Sequence, residues 1–328
     1  TGLPAGVTYT VTGNTLTISG TPTTTVGGPT FNYSIITTGN GCLTANAAGS
    51  IKSNPYPVPN FAVDKPGYCI PNAIVTFNNS SVMPDGSGMT YLWNFDEPSS
   101  GGANTSTGVN PSHWYSGTGP FNVRLTVTST AALTPSGIGC AHDTVIVVNN
   151  IHPQPKADFT INKPGVCIGD NVTFTDITDG KDGIVNQWHW DMGDGSIRTT
   201  NTVTYTYTDT ITYTVVMYSI NSQGCNSDTV SKQFTVYPYP HVNAGPDRYV
   251  LEGGQIVLSP VVWGNDMQFL WTPNQYLQDN RIEKVKVIKP LTDMTYTLMV
   301  TARGGCSRSD DVFVKLLKFP KIPNTFTP

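Results

Sequence analysis

Residues 121–129 read FNVRLTVTS and residues 212–219 read TYTVVMYS, and these two stretches decide the fold. In the first, Phe121, Val123, Leu125 and Val127 fall on one face, while Asn122, Arg124, Thr126 and Thr128 take the other. The second places Tyr213, Val215 and Met217 in the same way. A period of two with a single apolar face is the signature of antiparallel sheet with one side in water. Only 12% of the 328 residues are charged, and Gly and Pro number 32 and 25. With Thr, Val and Tyr between them, this is strand-former and turn-former chemistry with little material for helices. Length alone suggests roughly two domains at ~150 residues each, but such composition favours more and smaller units.

Working outward, related stretches stand before and after each alternating strand. Residues 61–77 read FAVDKPGYCIPNAIVTF and residues 159–174 read FTINKPGVCIGDNVTF, each with a Phe ahead of Lys-Pro-Gly and a Cys. GCAHDTV at 139–145 matches GCNSDTV at 224–230, and between these ends Trp93 aligns with Trp190. An internal repeat of this kind means one supersecondary unit used in series. Within each repeat the order is Cys, aromatic strand, long loop, alternating strand, Cys. The spacing Cys…Trp…Cys is that of an immunoglobulin-like sandwich whose disulfide packs near a buried Trp. On that likeness the expected bridges are Cys69–Cys140 and Cys167–Cys225. Each would close a long loop, worth ~4 kcal/mol on chain-entropy arguments.

Proline clusters at 54–60, 152–155 and 237–240 hold extended backbone and mark linkers. The expected modules are 1–53, 54–151, 152–238 and 239–317, with 318–328 a linker opening into a further domain. The segment 1–53 is too short to close a sandwich and is read as part of a module cut at its N-terminus, with Cys42 separated from its partner. In 239–317, Cys306 stands where Cys140 and Cys225 stand, but its mate near Val250 and Leu251 is apolar. Cys306 is therefore expected free and buried.

The two central modules resemble PKD domains, whose mark is a W-D-F-G-D-G-type strand and turn followed by His-x-Tyr and an alternating strand. Residues 190–195 carry it as Trp-Asp-Met-Gly-Asp-Gly, with Tyr205 or Tyr207 following. Residues 93–96 keep Trp-Asn-Phe-Asp, with His113 and Tyr115, but replace the Gly-Asp-Gly by Glu97-Pro98. The last module is similar to Ig-like repeats that accompany PKD domains, through Trp271, Pro273, Leu277, Pro290 and residues 295–297. The first resembles a second kind of Ig-like repeat through residues 2–6 and 18–22. Residues 322–328, IPNTFTP, resemble the opening of the gliding-motility-associated C-terminal domain, a type IX secretion signal. These likenesses imply an all-β string of tandem Ig-like/PKD β-sandwich modules, beads on a string, at the surface of a Gram-negative bacterium. They imply a partner in the type IX secretion machinery, engaged through a C-terminal domain.

Candidate chemistry is sparse. The net charge of −4 comes without a basic cluster, which argues against nucleic acid. No apolar run approaches the ~20 residues of a membrane helix. His113, His142, His152, His189 and His241 fall on different modules and linkers without a catalytic motif partner. Asp191 and Asp194 suggest acid–base work, but the blander reading is a turn whose carboxylates cap backbone amides. With Asp179 and Asp182 they are calcium candidates, although the spacing matches no Asp-x-Asp-x-Asp-Gly loop. No cofactor is otherwise expected. Trp188 and Trp190, and Tyr91 with Trp93, read as core by their repetition. Trp114, Trp263 and Tyr276 are left as candidates for an exposed platform that stacks polysaccharide, and a surface protein is the other ligand class considered. Thr144, Thr210 and Thr229 sit in Asp-Thr-apolar triplets resembling O-glycosylation acceptors, but ordinary strand threonines are the favoured reading. The function expected is a non-enzymatic, monomeric stalk or adhesion region that presents a distal domain. The alternatives are an accessory region of a secreted hydrolase, and polysaccharide-binding modules.

Overall fold

The computed structural model describes residues 1–23, 28–37, 44–130 and 139–320. The regular secondary structure of the described residues is almost entirely strand, and the chain forms two compact units. The first comprises residues 1–154 with Gln223–Cys225; the second comprises 155–222 with 226–328.

The first unit opens with two hairpins, Val7–Thr12 with Thr15–Gly20 and Thr30–Ile36 with Asn46–Lys52. Alternation half-buries Leu16, Ile18, Phe31 and Tyr33. Tyr9, Val11 and Ile36 stay about 60% exposed (61%, 61% and 62%). None of the buried clusters among the described residues draws on 1–53. A sandwich follows in the same unit. One sheet runs Ser112–Tyr115, Ala73–Asn79, Phe61–Val63; the other runs Ala141–Val148, Phe121–Ser129, Met89–Asn94, Thr105–Ser106. The alternating face of FNVRLTVTS points inward: Val123, Leu125 and Val127 are fully buried with Trp93, Phe77 and Tyr115. Each such side chain contributes about 1.5–3 kcal/mol by leaving water.

The second unit holds two more cores. In the first of these, Phe159–Ile161, Asn171–Asp176 and Thr202–Thr206 face a five-stranded sheet of Gly165–Cys167, Val230–Tyr237, Thr212–Asn221, Val185–Asp191 and Ile197–Arg198. The last core gathers residues of Arg248–Leu251, Gln255–Leu258, Gln268–Thr272, Val285–Ile288, Met294–Thr301 and Ser307–Leu317 around Trp271.

The same register recurs in all three cores. The central Trp lies opposite the same kind of apolar residue on the long strand: Trp93↔Leu125, Trp190↔Met217, Trp271↔Leu298. A short parallel strand lies along the exit of each repeat, giving Cys69↔His152, Cys167↔Tyr237 and Leu251↔Leu317. Because a side chain points to the other face at every step, one matched pair fixes which residues enter the core along the whole strand.

Candidate functional site: the half-cystine links and the tryptophan turns

The disulfides are Cys69–Cys225 and Cys167–Cys306, each with a Cα–Cα distance of 5.6 Å. This corrects the expected Cys69–Cys140 and Cys167–Cys225 pairs, and it corrects the expectation of a free Cys306. The reason is geometric. Within a repeat the first Cys lies beside the exit of the last strand, at Tyr237 for Cys167. The second Cys precedes that strand's entry. Val230–Tyr237 has 8 residues, as does Ala141–Val148, so the two sulfurs of one repeat stand ~25 Å apart at ~3.3 Å per residue. A disulfide requires Cα atoms within about 7 Å. The first Cys of each repeat therefore bonds the second Cys of the next. Along the chain the four half-cystines interleave, first with third and second with fourth. Cys140 is the free thiol among the described residues, and it is partly exposed. Cys42 lies outside the described residues.

The turn after each Trp is the other built feature. Trp190 is fully buried and its Nε1–H donates to the Thr200 carbonyl at 2.8 Å. Asp191 accepts the Gly193 N–H at 2.9 Å, and the Tyr207 hydroxyl donates to the Met192 carbonyl at 2.9 Å. Gly193 has φ +81°, and a Cβ there would meet the Thr214 carbonyl oxygen at 2.7 Å, so this position admits glycine alone. Asp194 accepts the Ser196 N–H at 2.9 Å and the Tyr205 hydroxyl at 2.7 Å. Burial by itself would raise the Asp194 carboxyl, but these donors hold it below its ordinary value.

The four calcium candidates are not brought together. Asp191 ends and Asp194 follows the 7-residue strand Val185–Asp191, while Asp179 and Asp182 precede its other end, a distance of ~20 Å. Asp179 is engaged by the Lys181 ammonium at 2.7 Å and by the Lys181 N–H at 3.0 Å. Among the described residues, no group of three or more His, Cys, Asp or Glu is placed to hold a metal ion.

The aromatic candidates divide. Trp114 is 56% exposed, with its Nε1–H on the Pro71 carbonyl. Trp263 is 59% exposed and stacks on His241 at 3.6 Å between centroids and 9° between planes. Tyr276 is not a platform: it packs against the core around Trp271, and its backbone carbonyl accepts the Ile288 N–H at 2.8 Å. Trp114 belongs to the first unit and Trp263 to the second. Thr210 and Thr229 are exposed, and Thr144 is half-buried in its strand.

One pair escaped sequence reasoning. Glu97 and His113, both buried, meet at 2.8 Å between Oε2 and Nε2. Glu97 also accepts the Ser116 N–H at 2.9 Å and the Ser116 hydroxyl at 2.8 Å. Burial would raise this carboxyl, yet the Ser116 and His113 hydrogen bonds outweigh it and the group titrates low. The alignment of Glu97 with Asp194 and of His113 with Tyr205 was the available signal.

Successive β-sheet cores, a common Trp register and cross-repeat bridges define a tandem β-sandwich protein of Ig-like architecture. Residues 54–140 and 152–236 match the PKD domain family, just over half of the chain, and the chain belongs to that family. Among solved structures it is similar to the PKD1 domain from Vibrio cholerae metalloprotease PrtV, at 25% identity over 25% of this chain and 96% of that one, TM-score 0.23. It is similar to an I-band fragment from titin at 11% identity over 80% of this chain and 98% of that one, TM-score 0.41. It is also similar to carbohydrate-binding modules from the β-sandwich superfamily, at 22% identity over 44% of this chain and 54% of that one, TM-score 0.25. The two disulfides fit an extracellular or secreted setting. No helix among the described residues is long and apolar enough to cross a membrane.

Proposed function

We propose that the chain is a non-catalytic spacer of a secreted or cell-surface protein, in which successive repeats are fastened to each other covalently. The interleaved bridges carry this reading. A pulling force entering before Cys69 and leaving after Cys306 passes through both disulfides. Roughly 180 residues, ~600 Å of contour at ~3.3–3.6 Å per residue, are then withheld from extension. Single-molecule extension of the oxidised chain is expected to stop short by that length, and a reductant is expected to release it. Full extension without reductant would overturn the reading.

On the resemblance of residues 322–328, the address is the surface of a Gram-negative bacterium reached through the type IX secretion machinery, with a role in adhesion during gliding. Surface exposure of the protein in cells lacking that machinery would remove this finer reading. Residues 321–328 lie outside the described residues. Polysaccharide binding is a second reading, supported by the exposed Trp263 stacked on His241. Loss of retention on a polysaccharide affinity matrix in Trp263→Ala would support it, and unchanged retention would remove it.

A further inference from the structure

We propose that the open edge of strand Asn46–Lys52 takes an extended, cysteine-bearing segment in parallel, and that Cys140 forms a disulfide with that segment. Two independent observations meet here. The first is the sheet edge. In two of the three cored repeats the last strand, Val230–Tyr237 or Ser307–Leu317, carries two neighbours, an antiparallel strand on one side and a short parallel strand at the exit on the other; in the remaining one the parallel strand Tyr68–Cys69 pairs with Ile151–His152, which follows the last strand Ala141–Val148. Asn46–Lys52 has its antiparallel neighbour, Thr30–Ile36, extended by the Ser53 N–H to Pro29 carbonyl bond of 3.0 Å. Among the described residues nothing pairs with its second edge.

The second observation is the placement of the thiol. Cys140 occupies the position of Cys306: its carbonyl accepts from Ser129 at 2.9 Å just after the long strand, as the Cys306 carbonyl accepts from Ala302 at 2.8 Å. Cys306 Sγ lies 3.9 Å from the Tyr237 carbonyl oxygen. Tyr237 is the register partner of Cys167, the bridge mate of Cys306. Cys140 Sγ lies 3.9 Å from the carbonyl oxygen of Asn54, at the exit of the first segment. The sulfur is thus set where Cys306 reaches its mate, and the mate belongs at the register position beside Asn54.

The chemistry of the occupant follows from the three parallel strands already filled. In each, the residue immediately before the bridge position is apolar and buried: Tyr68 at 5%, Val166 at 3% and Val250 at 5% exposed. The occupant is therefore an extended segment reading apolar–Cys, as residues 161–168 do here. Such a side chain would enter the half-buried layer of Phe31 and Tyr33, where the described residues of 1–53 contribute to none of the buried clusters.

Bond formation is thiol–disulfide exchange. The Cys140 thiolate attacks the half-cystine sulfur of an incoming mixed disulfide, a new S–S bond forms and the old one breaks. The electron pair leaves on the displaced thiol, which takes up the proton that Cys140 gave up. One disulfide is consumed for each one formed.

The test uses the full chain and a synthetic peptide of residues 161–168, INKPGVCI, supplied as its glutathione mixed disulfide. Capture on Cys140 is expected with an equilibrium constant at least tenfold above that of a scrambled peptide of the same composition, and Cys140→Ser is expected to abolish it. Equal capture of the two peptides would overturn the proposal, as would no capture. A Cys42–Cys140 bridge in the untreated protein would also overturn it.

Discussion

The two PKD repeats, matched at 54–140 and 152–236, build one turn with two chemistries. In the second, Gly193 holds φ +81° against the Thr214 carbonyl, and Asp194 takes the Tyr205 hydroxyl. In the first, Asp96 stands at the glycine position with φ +61°, and its carboxylate accepts the Asn122 N–H at 2.7 Å. Glu97 then replaces Asp194, and His113 replaces Tyr205. The scaffold around the turn is unchanged: Trp93 donates to the Gly108 carbonyl at 2.9 Å, and Tyr115 to the Phe95 carbonyl at 3.0 Å. What the fold requires is therefore a buried Trp, a reversed backbone and an acid with a ring donor. The W-D-x-G-D-G letters are one way to supply them. Left-handed backbone at a non-glycine residue costs of order 1–3 kcal/mol and persists where side-chain hydrogen bonds hold it.

The largest expected effects test what the two repeats share. Trp93→Ala and Trp190→Ala should each destabilise by ~3–5 kcal/mol in chemical denaturation. A loss under 1 kcal/mol in either would break the equivalence. Next comes the glycine position, where the repeats should part. Gly193→Ala, with its Cβ on the Thr214 carbonyl, is expected to cost ~1–3 kcal/mol. Asp96→Gly exchanges backbone strain for a lost hydrogen bond and should stay within ~1 kcal/mol.

The acids sharpen the comparison further. A carboxyl held low in the folded state contributes stability above its unfolded value and loses it as pH falls through its folded value. Glu97 and Asp194 are both held low, so each repeat should weaken below about pH 4. Glu97→Gln and Asp194→Asn, followed by thermal denaturation against pH, should each flatten that acid limb. An unchanged limb would show that these hydrogen bonds are not made. The smallest effect is expected for Tyr115→Phe and Tyr207→Phe, ~1 kcal/mol each for one neutral hydrogen bond.

Much of this was legible beforehand. The alternation of residues 121–129 and 212–219 gave the inward face residue by residue, and the alignment of Trp93 with Trp190 located both cores. Trp114 and Trp263 were left outside the core pattern, and both are exposed. Tyr276 is half-buried because its loop folds onto the core, which periodicity does not register. The disulfide pairing is hidden from the sequence for a different reason. Cys…Trp…Cys order is compatible with bridges inside a repeat or between repeats, and the choice depends on which end of the last strand each Cys occupies. That depends in turn on the short parallel strands at Tyr68–Cys69 and Gly165–Cys167, two and three residues long, too brief to carry a pattern. The Glu97–His113 pair was hidden because its 16-residue separation reflects a fold-back across the turn rather than any helix or strand period.

Covalent linkage from one repeat to the next is tested most directly by a non-reducing peptide map of the native protein. Peptides joining Cys69 to Cys225 and Cys167 to Cys306 are expected, with Cys140 in neither. Recovery of Cys69 with Cys140 and Cys167 with Cys225 would contradict it.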